Sequence, residues 1–306
     1  MIIDFIIQPW QNMGAIGLLM LLMSLFIALP AALLGGFLVV RKMAMTSDLV
    51  THSAIPGLVI AFLFVGNLSS IWLNVGAIVS SLLAVFIAQW LATHRPIKND
   101  TAIGTVLTSF FALGILILSA KASAVDLDPD CVLYGQLEQL VGANIIDIGG
   151  LMIARELLYF IGLYLLVIVF VVANYRTLLV SSFDADFAKS IWKRLNLLHY
   201  GLLAMIALMM VQAFQVVGAI LMVSFLITPA ATAILWCKRL PQILIFASLY
   251  SALSCVIGFY FAYYINANTA SFIAVVSFAG FVLSWLIQLL LTKIFINSSK
   301  KKALQT

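Results

Sequence analysis

Apolar runs of membrane-spanning length recur along nearly the whole chain, and this recurrence constrains the fold more than any motif does. A helix needs about 20 apolar residues to cross roughly 30 Å of hydrocarbon. Nine stretches qualify: 15–40, 45–65, 71–91, 102–120, 151–173, 200–214, 217–237, 243–265 and 270–295. Only 9% of the residues are charged and 64% are hydrophobic, too little polar surface to cover a soluble domain of this size. In lipid, a helix satisfies its own backbone groups. The expected fold is therefore all-α, a polytopic membrane protein of eight to nine transmembrane helices in a single domain over residues 1–306. The sixth run is short and meets the seventh at "QVVG" (215–218) with no polar loop between them. That pair is expected to form a bent or re-entrant unit, and it leaves the count at eight or nine. The opening "MIIDFIIQPW" lacks the basic region and small-residue cleavage site of a signal peptide, so the first run is expected to remain as a span.

Charge sets the expected orientation. With the N-terminus outside, 14 of the 16 Lys and Arg residues fall on one side, leaving Lys121 and Arg155 on the other. The acids lean the opposite way, with Asp4, Asp126, Asp128, Asp130, Glu138 and Asp147 outside. By the positive-inside rule this predicts N-terminus out and C-terminus cytoplasmic, which requires an odd number of crossings. The net charge of +5 thus reads as topology. No basic-aromatic surface stretch suggests a nucleic-acid partner.

Two polar stretches stand between spans. The outer one, 121–149, is expected to be an extracytoplasmic loop. Its "DLDPD" (126–130) alternates acids but lacks the glycine and distal glutamate of a calcium loop. The inner one, 181–196, carries Phe183, Phe187, Ile191 and Leu195 every fourth residue. That spacing predicts a short cytoplasmic helix, either lying on the membrane surface or docking to a partner. Cys131, Cys237 and Cys255 are too scattered for a disulfide framework or a thiolate metal site. His94 and His199 sit at inner span ends without a carboxylate at ligand spacing and read as interface histidines. Arg155 and Glu156 read as a surface feature.

Asp48 and His52 stand out. They are four residues apart in a predicted span, so a helix puts them on one face, and ionisable residues inside a membrane are functional by default. Carboxylate oxygen and imidazole nitrogen at this spacing can share a divalent cation such as manganese, iron or zinc. Two ligands are too few to close a site. A plainer use also fits: "TSD" before an apolar run suits a helix cap, and His52 could bond a nearby carbonyl. Pro56–Gly57 and "LITPAATA" (226–233, containing Thr228 and Pro229) are expected to break their spans, through packing or to open a pathway. There is no G-x-x-x-x-G-K-[ST] to hold ATP phosphates, and no H-E-x-x-H, G-x-S-x-G or zinc-deaminase pattern. The chain is not expected to be an enzyme. On the residues alone, the choice lies between an ATP-driven importer subunit and a proton-coupled secondary metal transporter, in which Asp48 and His52 would relay protons.

Several segments in order resemble one family. "RKMAMTSDLVTHSAIPGLVIAF", "DTAIGTVLTSFFALGILILS", "VLYGQL", "SSFDADFAKSIW" and "VVGAILMVSFLITPAATA" resemble motifs of the membrane permease subunits of zinc, manganese and iron ABC importers, the ABC-3 family. The resemblance implies a permease in the bacterial inner or plasma membrane that carries a divalent metal as cargo and holds no permanent cofactor. It implies cytoplasmic ABC ATPase subunits, an extracytoplasmic metal-binding lipoprotein or periplasmic protein, and a second permease subunit, identical or paralogous, as partners. On these motifs Asp48 and His52 map to the metal path. Phe183, Asp184, Phe187 and Ala188 map to the coupling helix that seats on the ATPase. "DPDCVLYG" departs from the plain polar residue or histidine that many relatives carry there, and is more similar to the manganese/iron branch.

Overall fold

A computed structural model of the chain describes residues 2–66, 71–94, 96–120, 135, 137, 145–148, 151–192 and 195–303. In order these form α1 (Ile2–Val40), α2 (Thr46–Val65), α3 (Ile71–His94), α4 (Asn99–Ala120), β1 (Ile145–Ile148), β2 (Leu151–Ala154), α5 (Arg155–Ala173), α6 (Tyr175–Phe183), α7 (Ala185–Ile191), α8 (Leu195–Trp236), α9 (Leu240–Ile265) and α10 (Thr269–Ala303). Among the described residues nine segments are long and apolar enough to cross a membrane, one for each apolar run. The protein is a multi-pass membrane protein, all-α among the described residues apart from one short hairpin.

That hairpin corrects an expectation. Strands β1 and β2 pair antiparallel, with Ile145 opposite Ala154 and Ile148 opposite Leu151. The fifth span therefore begins at Arg155 rather than 151. Leu151–Ala154 is as apolar as the helix that follows it, so the run reads as one segment although its first turn's worth of residues is extended. Most of the expected outer loop, including "DLDPD" and Cys131, lies outside the described residues.

Helix α8 is 42 residues long with one non-helical residue, Gly218 (φ 77°, ψ 170°). Its start lies beside the end of α1, since Arg41 reaches His199. Its far end leads into α9, whose Leu244 packs on Gly36, also near the end of α1. Both ends of α8 are thus at the same end of the bundle, and the helix folds back on itself near Gly218. This makes it two spans, Leu195–Phe214 and Val216–Trp236. The turn is braced from another part of the chain. Gly135, also at positive φ, lies so close that a Cβ there would collide with the backbone of Val216, Val217 and Gly218.

Helix α1 and the second arm of α8 are the most buried spans. Met23, Ile27, Leu34 and Phe37 of α1 and Phe225 and Leu226 of α8 are sealed from the surface. Lipid tails are as apolar as these side chains, so association rests on close packing and cross-helix hydrogen bonds. Ala28, Ala31, Ala32, Ala230 and Ala233 supply the small buried surfaces. Gln288 donates to the Leu235 carbonyl at 2.9 Å, and Tyr250 donates to that of Ser277.

Candidate functional site

Helices α1 and α2 join through five residues. Lys42 takes a left-handed conformation (φ 58°). Lys42 N–H donates to the Val39 carbonyl at 3.0 Å and Met43 N–H to that of Leu38 at 2.9 Å. This is the paired C-terminal cap that normally uses glycine, completed by contact between buried Met43 and Leu38. The tight turn starts α2 well inside the bundle. His52, seventh in α2, packs edge-on against Phe111, thirteenth in α4, with ring centroids 5.2 Å apart. Gly114 meets Ile55 and Pro56 with the same six-residue stagger. At 1.5 Å per residue, α2 begins about 9 Å deeper than α4. Against α3, Ser81 donates to the Val50 carbonyl at 2.9 Å and Ser80 to that of Ser53 at 2.6 Å. That register runs α3 about 13 Å past the start of α2. Asp48, the third residue of α2, lies about 12–17 Å inside the ends of its neighbours, close to half of a roughly 30 Å hydrocarbon layer.

The inner half of α2 is buried except along one stripe. Thr46, Ser47, Leu49, Val50, Thr51, Ser53 and Ala54 are buried, while Asp48, His52 and Ile55 are half-open. The pair therefore occupies the one accessible face of that half-helix. Asp48 does not cap its helix. The cap position is Met45, with no side-chain hydrogen bond to the helix start. Among the described residues neither the Asp48 carboxylate nor the His52 ring carries a hydrogen bond, so the plainer uses of both are unrealised. Nor does a third His, Cys, Asp or Glu join them to complete a metal-binding group among the described residues.

Pro56 and Gly57 do not break α2, which is helical throughout. Pro56 instead lacks the N–H that would bond the carbonyl of His52, four residues back. The proline thus relieves the backbone oxygen of the candidate ligand itself of its helical partner. Gly57 serves packing, because a Cβ there would collide with the carbonyl of Gly76 in α3. Pro229 is likewise inside a continuous stretch of α8, and the carbonyl of Thr228 accepts the Thr232 hydroxyl at 2.8 Å.

The second predicted element is α7. Asp184 precedes it in extended conformation (φ −140°, ψ 91°) and accepts from Phe187 N–H at 2.9 Å, a side-chain cap. Helix α7 has seven residues and ends at Trp192, so the apolar stripe stops short of Leu195, which is buried at the start of α8. Phe183, Phe187 and Ile191 each expose more than half of their surface, whereas Ala188 is fully buried. Lys193 and Arg194 of the same segment lie outside the described residues.

Sequence reading missed the role of Arg41, taken only as a marker of topology. Its guanidinium gathers Ser181 and Ser182 of α6 and His199 of α8. A lone basic residue at a span end carries no signal of such contacts. His94 behaves as expected, stacked on Trp90 at an exposed helix end.

The sequence profile of the ABC 3 transport family matches residues 17–288. The chain belongs to the ABC 3 transport family. Family members similar to it include the manganese transport system membrane protein MntD of Bacillus subtilis (strain 168), 34% identical over 252 residues, covering 82% of this chain and 85% of that one. The manganese import system permease protein ScaB of Streptococcus gordonii is 33% identical over 267 residues, covering 87% and 89%. Among solved structures, PsaBC from Streptococcus pneumoniae in complex with Fab is similar with a TM-score of 0.74 at 29% identity, covering 93% of this chain and 95% of that one. This ABC 3 family member is a transport permease with multiple membrane passes.

Proposed function

We propose that the chain is the permease subunit of an ATP-driven importer of a divalent transition metal, manganese by its relatives, and that Asp48 and His52 touch the metal in passage. The observation that carries this reading is the state of the pair. Two ionisable side chains sit deep among membrane helices, on the one open face of the inner half of α2, without hydrogen bonds among the described residues. Oxygen and nitrogen donors suit manganese, and a site with too few protein ligands releases its cargo readily. The carbonyl relieved by Pro56 adds an oxygen donor beside them. On the neighbouring α4, Thr101, Thr105, Thr108 and Ser109 are exposed, a hydroxyl-bearing face that suits a second permease subunit and a water-filled path better than lipid. Thr228 and Pro229 are the corresponding candidates on α8.

The end of the bundle bearing Arg41, Lys98, Lys189 and Lys238 is the cytoplasmic one in this reading, which puts the N-terminus outside. Phe183, Asp184, Phe187 and Ala188 then form the coupling helix: capped by Asp184, anchored by Ala188, and offering its exposed aromatic face to a separate ABC ATPase. Metal arrives from an extracytoplasmic binding protein, and the 121–149 loop faces that side.

Uptake of radiolabelled manganese into liposomes tests the reading, with permease, ATPase and loaded binding protein reconstituted together. Uptake should require ATP, and the double variant Asp48→Ala, His52→Ala should lose it while ATP hydrolysis continues. Normal uptake by the double variant would remove the site. Uptake driven by a proton gradient without the ATPase would remove the importer reading.

A further inference from the structure

At the end of α1 the fold half-buries a positive charge that has no negative partner among the described residues. Arg41 donates from Nε to Ser182 Oγ at 3.0 Å and from Nη2 to Ser181 Oγ at 2.8 Å, while Nη1 lies 3.4 Å from His199 Nδ1. A guanidinium can only donate, so Nδ1 accepts and the imidazole carries its proton on Nε2. All three partners are neutral. Among the described residues no carboxylate pairs with Arg41, and burial pushes its pKa down to about 10, so it remains a cation. A charge taken out of water without a counter-ion is costly.

Beside it lies a cavity of about 200 Å³ lined by Arg41, Ser181, Lys189, Leu195, Asn196 and His199. Among the described residues the lining holds a second cation, a hydroxyl, an amide and an apolar wall, and no acid. Asp186, which pairs with Lys189 at 3.2 Å, is almost fully exposed and is not part of the lining. The Ser181 hydroxyl donates to the Leu178 carbonyl at 3.2 Å, so the donors left for a tetrahedral oxyanion are the remaining guanidinium N–H groups, the ammonium and the amide.

We propose that this cavity is a phosphate site, formed by Arg41, Lys189 and Asn196 and filled by one phosphate group, either free or from a phospholipid headgroup. The space admits the phosphate itself but not a lipid's glycerol and tails, which would remain outside. The site needs neither Asp48 nor transport, so it stands or falls apart from the metal reading.

The full-length permease, delipidated in a phosphate-free maltoside detergent, is heated with increasing inorganic phosphate at fixed ionic strength. A second arm uses phosphatidylglycerol instead. A saturable rise in unfolding temperature is expected in at least one arm. Lys189→Ala should weaken the half-saturating concentration about tenfold, the scale of one charge-assisted hydrogen bond, and Arg41→Gln should abolish the response. Lys189 is largely exposed, so its loss leaves the fold intact and keeps the test decisive if Arg41→Gln does not fold. A response to inorganic phosphate supports a free anion site, and a response to phosphatidylglycerol alone supports a headgroup site. No saturable response in either arm, or equal responses from the parent chain and Lys189→Ala, overturns the proposal.

Discussion

Two aspartates open neighbouring acts of the same fold and are used in opposite ways. Asp184 stands at the cap of α7 in an exposed segment and spends its carboxylate on the Phe187 N–H. Asp48 stands three residues into α2, about 12–17 Å inside the bundle, and caps nothing. The exposed acid is structurally employed, and the recessed one is chemically free. A recessed carboxylate costs more to keep, so its lack of structural employment is the better sign of a function. The apolar residues mirror this. Leu49 and Val50 beside Asp48 are buried, whereas Phe183, Phe187 and Ile191 around Asp184 face outward.

The contrast predicts a ranking of effects. Asp48→Ala with His52→Ala should lower manganese uptake by about a hundredfold or more, because ligands count for at least as much as the outer-shell groups that orient them, with little change in unfolding temperature. An equal loss from Asp184→Ala would erase the distinction between the two acids. Gly57→Val should destabilise by about 3 kcal/mol, the upper range for overpacking, because the new side chain meets the backbone of α3. Thermal unfolding of the purified chain reads it. Phe187→Ala should cost about 2 kcal/mol of binding to the ATPase, in the range of an aromatic interface anchor, and nothing in fold stability. A pull-down titration separates this from misfolding. Asp184→Ala should cost about 1 kcal/mol through the lost cap, and Asp184→Asn much less, since both Asp and Asn cap well.

The spans were legible because each is a long apolar run, and lipid leaves the backbone few alternatives to a helix. The reversal of α8 showed only as a missing polar loop at 215–218, since the turn is made by glycine conformation and not by hydrophilic residues. Hairpin β1–β2 left no trace, because Leu151–Ala154 has the composition of the span it precedes. Asp48 and His52 were visible from spacing, but their depth was not. Depth depends on the stagger of α2 against α3 and α4, which Ser80, Ser81 and Phe111 set through contacts distant in sequence. The four-residue spacing of Phe183, Phe187 and Ile191 was legible, yet the break at Asp184, which leaves Phe183 at the end of α6, was not, nor was whether these side chains pack inward or stand open. Arg41 was read for its charge alone. Its partners come from α6 and α8, about 140 and 158 residues away.

The folded-back helix α8 also bears on how the protein is made. Its 42 residues contain no charged side chain, so the turn offers the insertion machinery no basic residue to hold back and no hydrophilic loop to pass across. The two arms must therefore enter the bilayer together as a hairpin. Gly135, synthesised earlier, lies against that bend in the folded chain. Biogenesis, rather than transport, is then the step that a bulky residue at 135 or 218 would damage first.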